Sequence, residues 1–262
     1  MSVETRARLA RLLARDDLDI DLAEANLLIC AEADPGVDIA AALARVDAIA
    51  REARSGGVVA TLREAGFRGA VDDYDDPANS FLSAMLERRR GIPIGLATLA
   101  LAVASRAGAA MVGIGMPGHF VIADLGGADA AYIDPFNGWG ALDAAACARL
   151  VEGTTGMPFR PEYLRPVSER AILTRTLLNL RGSYLRRRRP ADALWTVELS
   201  LLVTPDDGPL VREAVVMLSG AGRYEEAEET AAAFIADRPG DPAVPALASQ
   251  RDTVRDLIRR MN

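Results

Sequence analysis

At 262 residues, half of them apolar, the chain is long enough for one large domain or two modest ones, and it can bury a substantial core. Its 37 acidic residues against 30 basic ones leave a net charge of −7, which argues against a general nucleic-acid binder and against a protein held on anionic membranes, because the field repels phosphate. Every basic residue is arginine, and with no lysine present Schiff-base chemistry, the phosphate-loop lysine and pyridoxal-type mechanisms are ruled out.

Met1 to Ala14 places arginine and leucine at helical spacing and includes Glu4, so it lacks the layout of a secretion signal. From Leu9 to about Met85 the pattern is mostly helical, broken at Asp34-Pro35-Gly36 and Ser55-Gly56-Gly57. Cys30 and Cys147 stand far apart in alanine-rich helical contexts, as buried small side chains rather than a disulfide or zinc site, and a reducing cytoplasm suits them. With one histidine and no cysteine cluster, no metal and no cofactor are expected. The acidic stretch Asp72 to Asp76 lacks calcium-loop spacing and reads as a solvated turn. Asn79-Ser80 is placed to cap a helix through Leu86, which Arg88-Arg89-Arg90 closes at its carbonyl end.

Pro93 suits the first turn of a helix, because its fixed φ fits there and its missing N–H would have been unpaired anyway. That helix is expected to run to Gly108; its apolar stretch Ile92 to Ala104 reads as a buried core helix, not a membrane span. Strands are expected over Met111–Met116, His119–Asp124 and Ala131–Asp134, with Gly126-Gly127 as a tight turn. A hairpin centred on that turn makes His119 and Asp134 direct cross-strand neighbours.

After Pro158, Pro161 and Pro166 the chain turns helical again. Pro205 and Pro239 are 34 residues apart, as are Ala193 and Ala227, which is tetratricopeptide spacing. Leu180 and Tyr184 occupy packing positions of a first unit, and Arg186 to Arg189 fall between tail helices.

His119 is the only histidine, and with Asp134 as orienter it makes half of a nucleophilic apparatus. The start of the preceding core helix, where a thiol would be acidified by unpaired amides, holds Pro93. The order helix, strand, strand resembles the transglutaminase-like fold, whose nucleophile stands fifteen residues before the glycine ending its helix; counting back from Gly108 gives Pro93. Arg90-Gly91-Ile92-Pro93-Ile94, Pro117-Gly118-His119-Phe120 and Asp134-Pro135-Phe136-Asn137-Gly138 resemble the SirB-type branch of that superfamily. There a transglutaminase-like domain is joined to tetratricopeptide-like helices, and the branch name comes from a proposed role in bacterial gene regulation. The resemblance implies His119 as base, Asp134 as orienting acid, Gly91 as the glycine two before the nucleophile, and an acidic position at Glu32 with no assigned task.

The expected architecture is α+β: a mostly helical transglutaminase-like domain with a small antiparallel sheet over residues 1–165, then an all-α tetratricopeptide-like tail over 166–262. The leading functional expectation is a cytoplasmic, non-catalytic or altered transglutaminase-like protein, a regulatory module that binds a protein or peptide through its cleft and tail. Neither nucleic acid nor membrane is an expected partner. The expected cleft lining is Asn79, Ser80, Arg90, Pro93, Phe120 and Asn137, with His119 and Asp134 as candidate catalytic groups. The alternative is a cysteine-independent hydrolase or acyltransferase in which His119 activates water, or Ser80 attacks, with Asp134 orienting the ring. A purely structural His119–Asp134 pair and a merely capping Ser80 are the competing bland readings.

Overall fold

A computed structural model describes residues 3–15, 20–127 and 131–261. Its contacts divide the chain into two compact units, Met1–Thr176 and Leu177–Asn262.

The first unit begins with four helices, α1 (Val3–Leu13), α2 (Leu22–Ala33), α3 (Ile39–Gly56) and α4 (Val58–Glu64). Aspartates start two of them: Asp21 accepts from the amides of Ala23 and Glu24, and Asp38 from that of Ala41. The breaks at Asp34-Pro35-Gly36 and Gly57 fall where the sequence places them, Gly57 taking a positive φ of 78° at the junction of α3 and α4. A two-residue strand β1 (Arg68–Gly69) pairs in parallel with β2 (Arg90–Gly91), a small ladder that the sequence does not announce.

Between them the expected Asn79-Ser80 cap is not formed. Asp76 accepts from the Ala78 amide and starts a 3-10 turn over Pro77–Asn79, which draws Asn79 inside the turn. Helix α5 (Leu82–Arg88) therefore begins at Phe81 with no side-chain cap, and ends at Arg89 with a left-handed φ of 54°. Helix α6 (Pro93–Ala107) has Pro93 in its first turn and Gly108 at its end with φ 80°, close to the expected span. Every residue from Pro93 to Ala104 is buried, so α6 is the central core helix. Near its end Arg106 binds Asp21 at 2.6 Å and Asp47 at 2.8 Å, tying α6 to the start of α2 and to α3.

A five-stranded antiparallel sheet follows, ordered β6-β5-β4-β3-β7, with β3 (Met111–Ile114), β4 (Val121–Asp124), β5 (Ala131–Asp134), β6 (Gly140–Leu142) and β7 (Pro166–Val167). Alternate residues Ile114, Val121 and Ala123 pack with Cys147 and Val151 of α7 (Ala144–Thr155), so Ile122 and Ile133 point to the opposite face. Helix α6 packs on β3 and β4.

The hairpin register corrects the expectation. Ile122 pairs with Ile133 and Asp124 with Ala131, two residues away from a turn centred on Gly126-Gly127, because the connection is longer; its residues 128–130 lie outside the described residues. A slip of one residue would exchange the faces of the sheet, whereas a slip of two preserves them. Continuing the observed register sets Asp134 opposite Val121, so His119 becomes its diagonal neighbour on the same face.

Helix α8 (Glu169–Arg186) contains the boundary between the units. The second unit continues through α9 (Pro190–Val203), α10 (Gly208–Gly220), α11 (Tyr224–Asp237) and α12 (Val244–Met261). Helix α10 packs on α9, α11 and α12, and the core combines Val211, Val215 and Leu218 with Ala227, Phe234, Leu247 and Val254. Arg187 to Arg189 connect α8 to α9. Among the described residues no helix is long and apolar enough to cross a membrane, and no cluster of three or more metal-ligating side chains occurs.

Candidate functional site

The site is built on the end of β5. Asp134 is 2% exposed, and its carboxylate accepts four hydrogen bonds: from the backbone amides of Phe136 and Asn137 at 2.9 and 3.1 Å on Oδ1, and from Asn137 Nδ2 at 2.7 Å and His119 Nε2 at 2.9 Å on Oδ2. The two amide bonds form an Asx turn, which is the local reason for Asp134-Pro135-Phe136-Asn137 at a strand end. Burial alone would raise this carboxyl's pKa. The hydrogen bond and charge of His119, with the bonds from Asn137, outweigh it and hold the group below the ordinary carboxylate range.

An ionised Asp134 fixes the imidazole. Nε2 must carry the proton it donates, so in the neutral ring Nδ1 carries the lone pair, and Nδ1 makes no hydrogen bond to any described residue. This is the arrangement of an oriented base.

The turn carrying His119 is held from below by Arg175 of α8. Its Nη2 donates to the carbonyl oxygens of Met116 at 2.7 Å and His119 at 2.8 Å, and its guanidinium lies 5.4 Å from the centre of the Phe120 ring. Burial lowers the pKa of Arg175, and nearby Tyr74 partly offsets this. Arg175→Gln is expected to loosen the Met116–His119 turn. Because His119 is the only histidine, its ring NMR signals report this directly: they should broaden or shift in the variant, with Arg175→Lys partly restoring them.

Phe136 links the imidazole to the start of α6. Its ring centre is 6.3 Å from His119 and 5.9 Å from Tyr74, both edge-on. Its backbone and ring press on Gly69, where a Cβ would lie 2.5 Å from the Phe136 oxygen, and Gly69 pairs with Gly91, two residues before Pro93. The adjacent Trp139 takes a positive φ of 63°, a conformation that costs a non-glycine residue about 1–2 kcal/mol. Its buried indole donates to the Phe67 carbonyl at 2.7 Å and anchors the turn.

Of the other expected lining residues, Asn137 joins the pair directly through its bond to Asp134. Pro93 is buried at the start of α6. Asn79 is 1% exposed; its Nδ2 donates to the Asp73 carbonyl at 2.8 Å, and its backbone carbonyl accepts from the Ile92 amide at 3.0 Å, securing the entry to α6. Ser80 is buried, and its hydroxyl is in no hydrogen bond, so no base is paired with it. Arg90 is exposed on β2, Asn137 is exposed beside Asp134, and Phe120 is fully buried in the core under Arg175. Glu32 bonds Arg6 of α1 at 3.0 Å.

Both cysteines are buried and free. Burial raises the Cys30 thiol pKa despite hydrogen bonds from Ser83 and Leu82, and burial raises that of Cys147 with help from the charges of Asp143 and Asp134. Neither is hydrogen-bonded to the imidazole.

Arg175, Tyr74 and Trp139 escaped the sequence reading, and Phe136 entered it only inside a motif. Arg175 carries no local signal, since its acceptors lie 56 and 59 residues away.

A central helix with a small antiparallel sheet that presents a His–Asp pair fits a transglutaminase-like domain. The family model of the transglutaminase-like superfamily matches residues 40–178, and the chain belongs to that superfamily. It is 31% identical over 191 residues to the UPF0162 protein of Vibrio cholerae, covering 72% of this chain and 70% of the relative. It is 32% identical over 157 residues to the UPF0162 protein of Xylella fastidiosa, covering 58% and 56%. A shorter match, 35% over 71 residues, joins 27% of the chain to 11% of the mouse F-box only protein 21. No solved structure matches the chain.

Proposed function

We propose that this is a SirB-type transglutaminase-like protein that forms no thioester and instead binds a peptide or protein segment, in a regulatory role. The observation that carries the reading is Pro93 in the first turn of α6, fifteen residues before Gly108, where the resemblance to the superfamily implies its thiol. A pyrrolidine ring offers no nucleophile. Cys30 and Cys147 do not stand in for it, because both are buried with raised thiol pKa values and so carry little thiolate. The edge-on cluster of His119, Phe136 and half-exposed Tyr74 supplies an aromatic surface suited to a bound chain. In the tail, Ala193 and Ala227 are both fully buried, and Pro205 and Pro239 both follow helix ends, which supports the tetratricopeptide-like period.

The alternative, a cysteine-independent hydrolase, is favoured by one observation: Asp134 orients a ring whose Nδ1 is unengaged and able to take a proton from water. A panel of aryl esters and glutamine-containing peptide amides, incubated with wild type and His119→Ala, separates the two. The binding reading expects equal background rates for both proteins. Turnover that disappears in a folded His119→Ala variant would establish the hydrolase instead.

A further inference from the structure

Beside Asp134 lies an open cavity of about 340 Å³, and we propose that it receives the C-terminal residue of a bound peptide, an apolar side chain bearing a free carboxylate. The proposal rests on the peptide-binding reading and names the part of the ligand that this site selects.

Three chain segments form the cavity. On α7, Ala146, Arg149 and Leu150 recur at three- and four-residue steps and share one helix face; β6 adds Gly140 and Leu142, and the end of β5 adds Asp134 and Asn137. Leu142, Ala146 and Leu150 make apolar walls. The volume is at the lower end for a ligand site, which suits one residue rather than a large cofactor.

Polar groups set the sign of the ligand. Asp134 is the one acid of the cavity, and its four donors already occupy both oxygens, so it has little left to offer a cation. Arg149 is exposed and makes no ion pair or hydrogen bond among the described residues. Its planar fork matches a carboxylate in two parallel hydrogen bonds. Asn137 orients the chain: its Nδ2 is committed to Asp134, which leaves Oδ1 as an acceptor for a peptide N–H. Apolar side chain, terminal carboxylate and preceding amide thus each meet a complementary group, in a protein whose net charge of −7 would otherwise repel an anion.

Fluorescence polarisation of the full chain with a fluorescein-labelled pentapeptide tests this. The peptide ends in leucine with a free carboxylate, and the controls are the same peptide with a C-terminal amide and one ending in serine. The carboxylate peptide is expected to bind saturably. Amidation, or Arg149→Ala in a protein of unchanged Tm, should weaken it about tenfold or more, and the serine peptide should bind less well. Arg149→Lys should recover part of the loss. Equal binding of acid and amide, indifference to Arg149→Ala, or no saturable binding would each overturn the proposal. Peptide binding that ignores Arg149 would leave the broader peptide-binding reading standing, whereas mass-spectrometric release of the terminal leucine would overturn the non-catalytic reading and leave the pocket.

Discussion

Asp134→Ala is expected to lower stability by about 3–5 kcal/mol, a fall of about 10 °C in Tm, because one truncation strips the acceptor from four donors at once. The imidazole can turn or change tautomer, but the amides of Phe136 and Asn137 are fixed in the backbone, and the Asx turn that closes β5 loses its support. Asp134→Asn keeps the shape and one acceptor and should lose less. The same carboxyl sets an acid limb. Its folded pKa is depressed, so the stability it contributes is complete above the unfolded-state value of about 3.9 and is withdrawn as the pH falls below that through the lower folded value. Urea denaturation of wild type between pH 6 and pH 2 should show this loss on the acid side. In Asp134→Asn the limb should flatten; an unchanged slope would show that the carboxyl contributes nothing there.

Gly69→Ala carries the second large effect. The new methyl would sit 2.5 Å from the Phe136 carbonyl oxygen and 2.8 and 2.9 Å from two of its ring carbons. The obstacle is partly backbone, so β1 or the Asp134–Trp139 turn must move, at a cost of about 3 kcal/mol, and the Phe136 edge should withdraw from His119. Gly95→Ala is the instructive control. Its methyl meets the terminal methyl of Met85 at 2.7 Å, but a methionine end can swing aside, and alanine is the better helix residue by about 0.5–1 kcal/mol. Chemical denaturation should find Gly95→Ala within about 1 kcal/mol of wild type and Gly69→Ala far below it, with the histidine NMR signals displaced only in Gly69→Ala.

These predictions rest on features of unequal visibility in the sequence. Helix α6 was legible because Pro93 and Gly108 punctuate a continuous apolar run, and the His119–Asp134 partnership was legible because Asp134 ends β5 and His119 stands two residues before β4, the strand beside it, which begins at Val121 and not at His119 as its sequence suggests. Their exact pairing was not, since strand sequence alone cannot count loop residues; the contact survives because the two-residue displacement conserves the face. The Asn79-Ser80 cap failed for a local reason, that Asp76 starts a turn three residues earlier and shifts the helix start to Phe81. The support beneath the site was invisible. Arg175 reads as one more arginine on a helix, and Gly69 as a loop glycine, until the fold brings the first against the carbonyls of Met116 and His119 and the second against Phe136.

We propose that the His119–Asp134 pair lacks only a nucleophile at position 93. Intact-mass analysis after native treatment with a thiol-directed glutamine-mimicking electrophile tests it most directly, on wild type, Pro93→Cys and Pro93→Cys/His119→Ala. Wild type should stay unmodified, Pro93→Cys should gain one adduct, and the double variant should lose that reactivity. A wild-type adduct on Cys30 or Cys147, or a Pro93→Cys protein no more reactive than the double variant, would contradict the account.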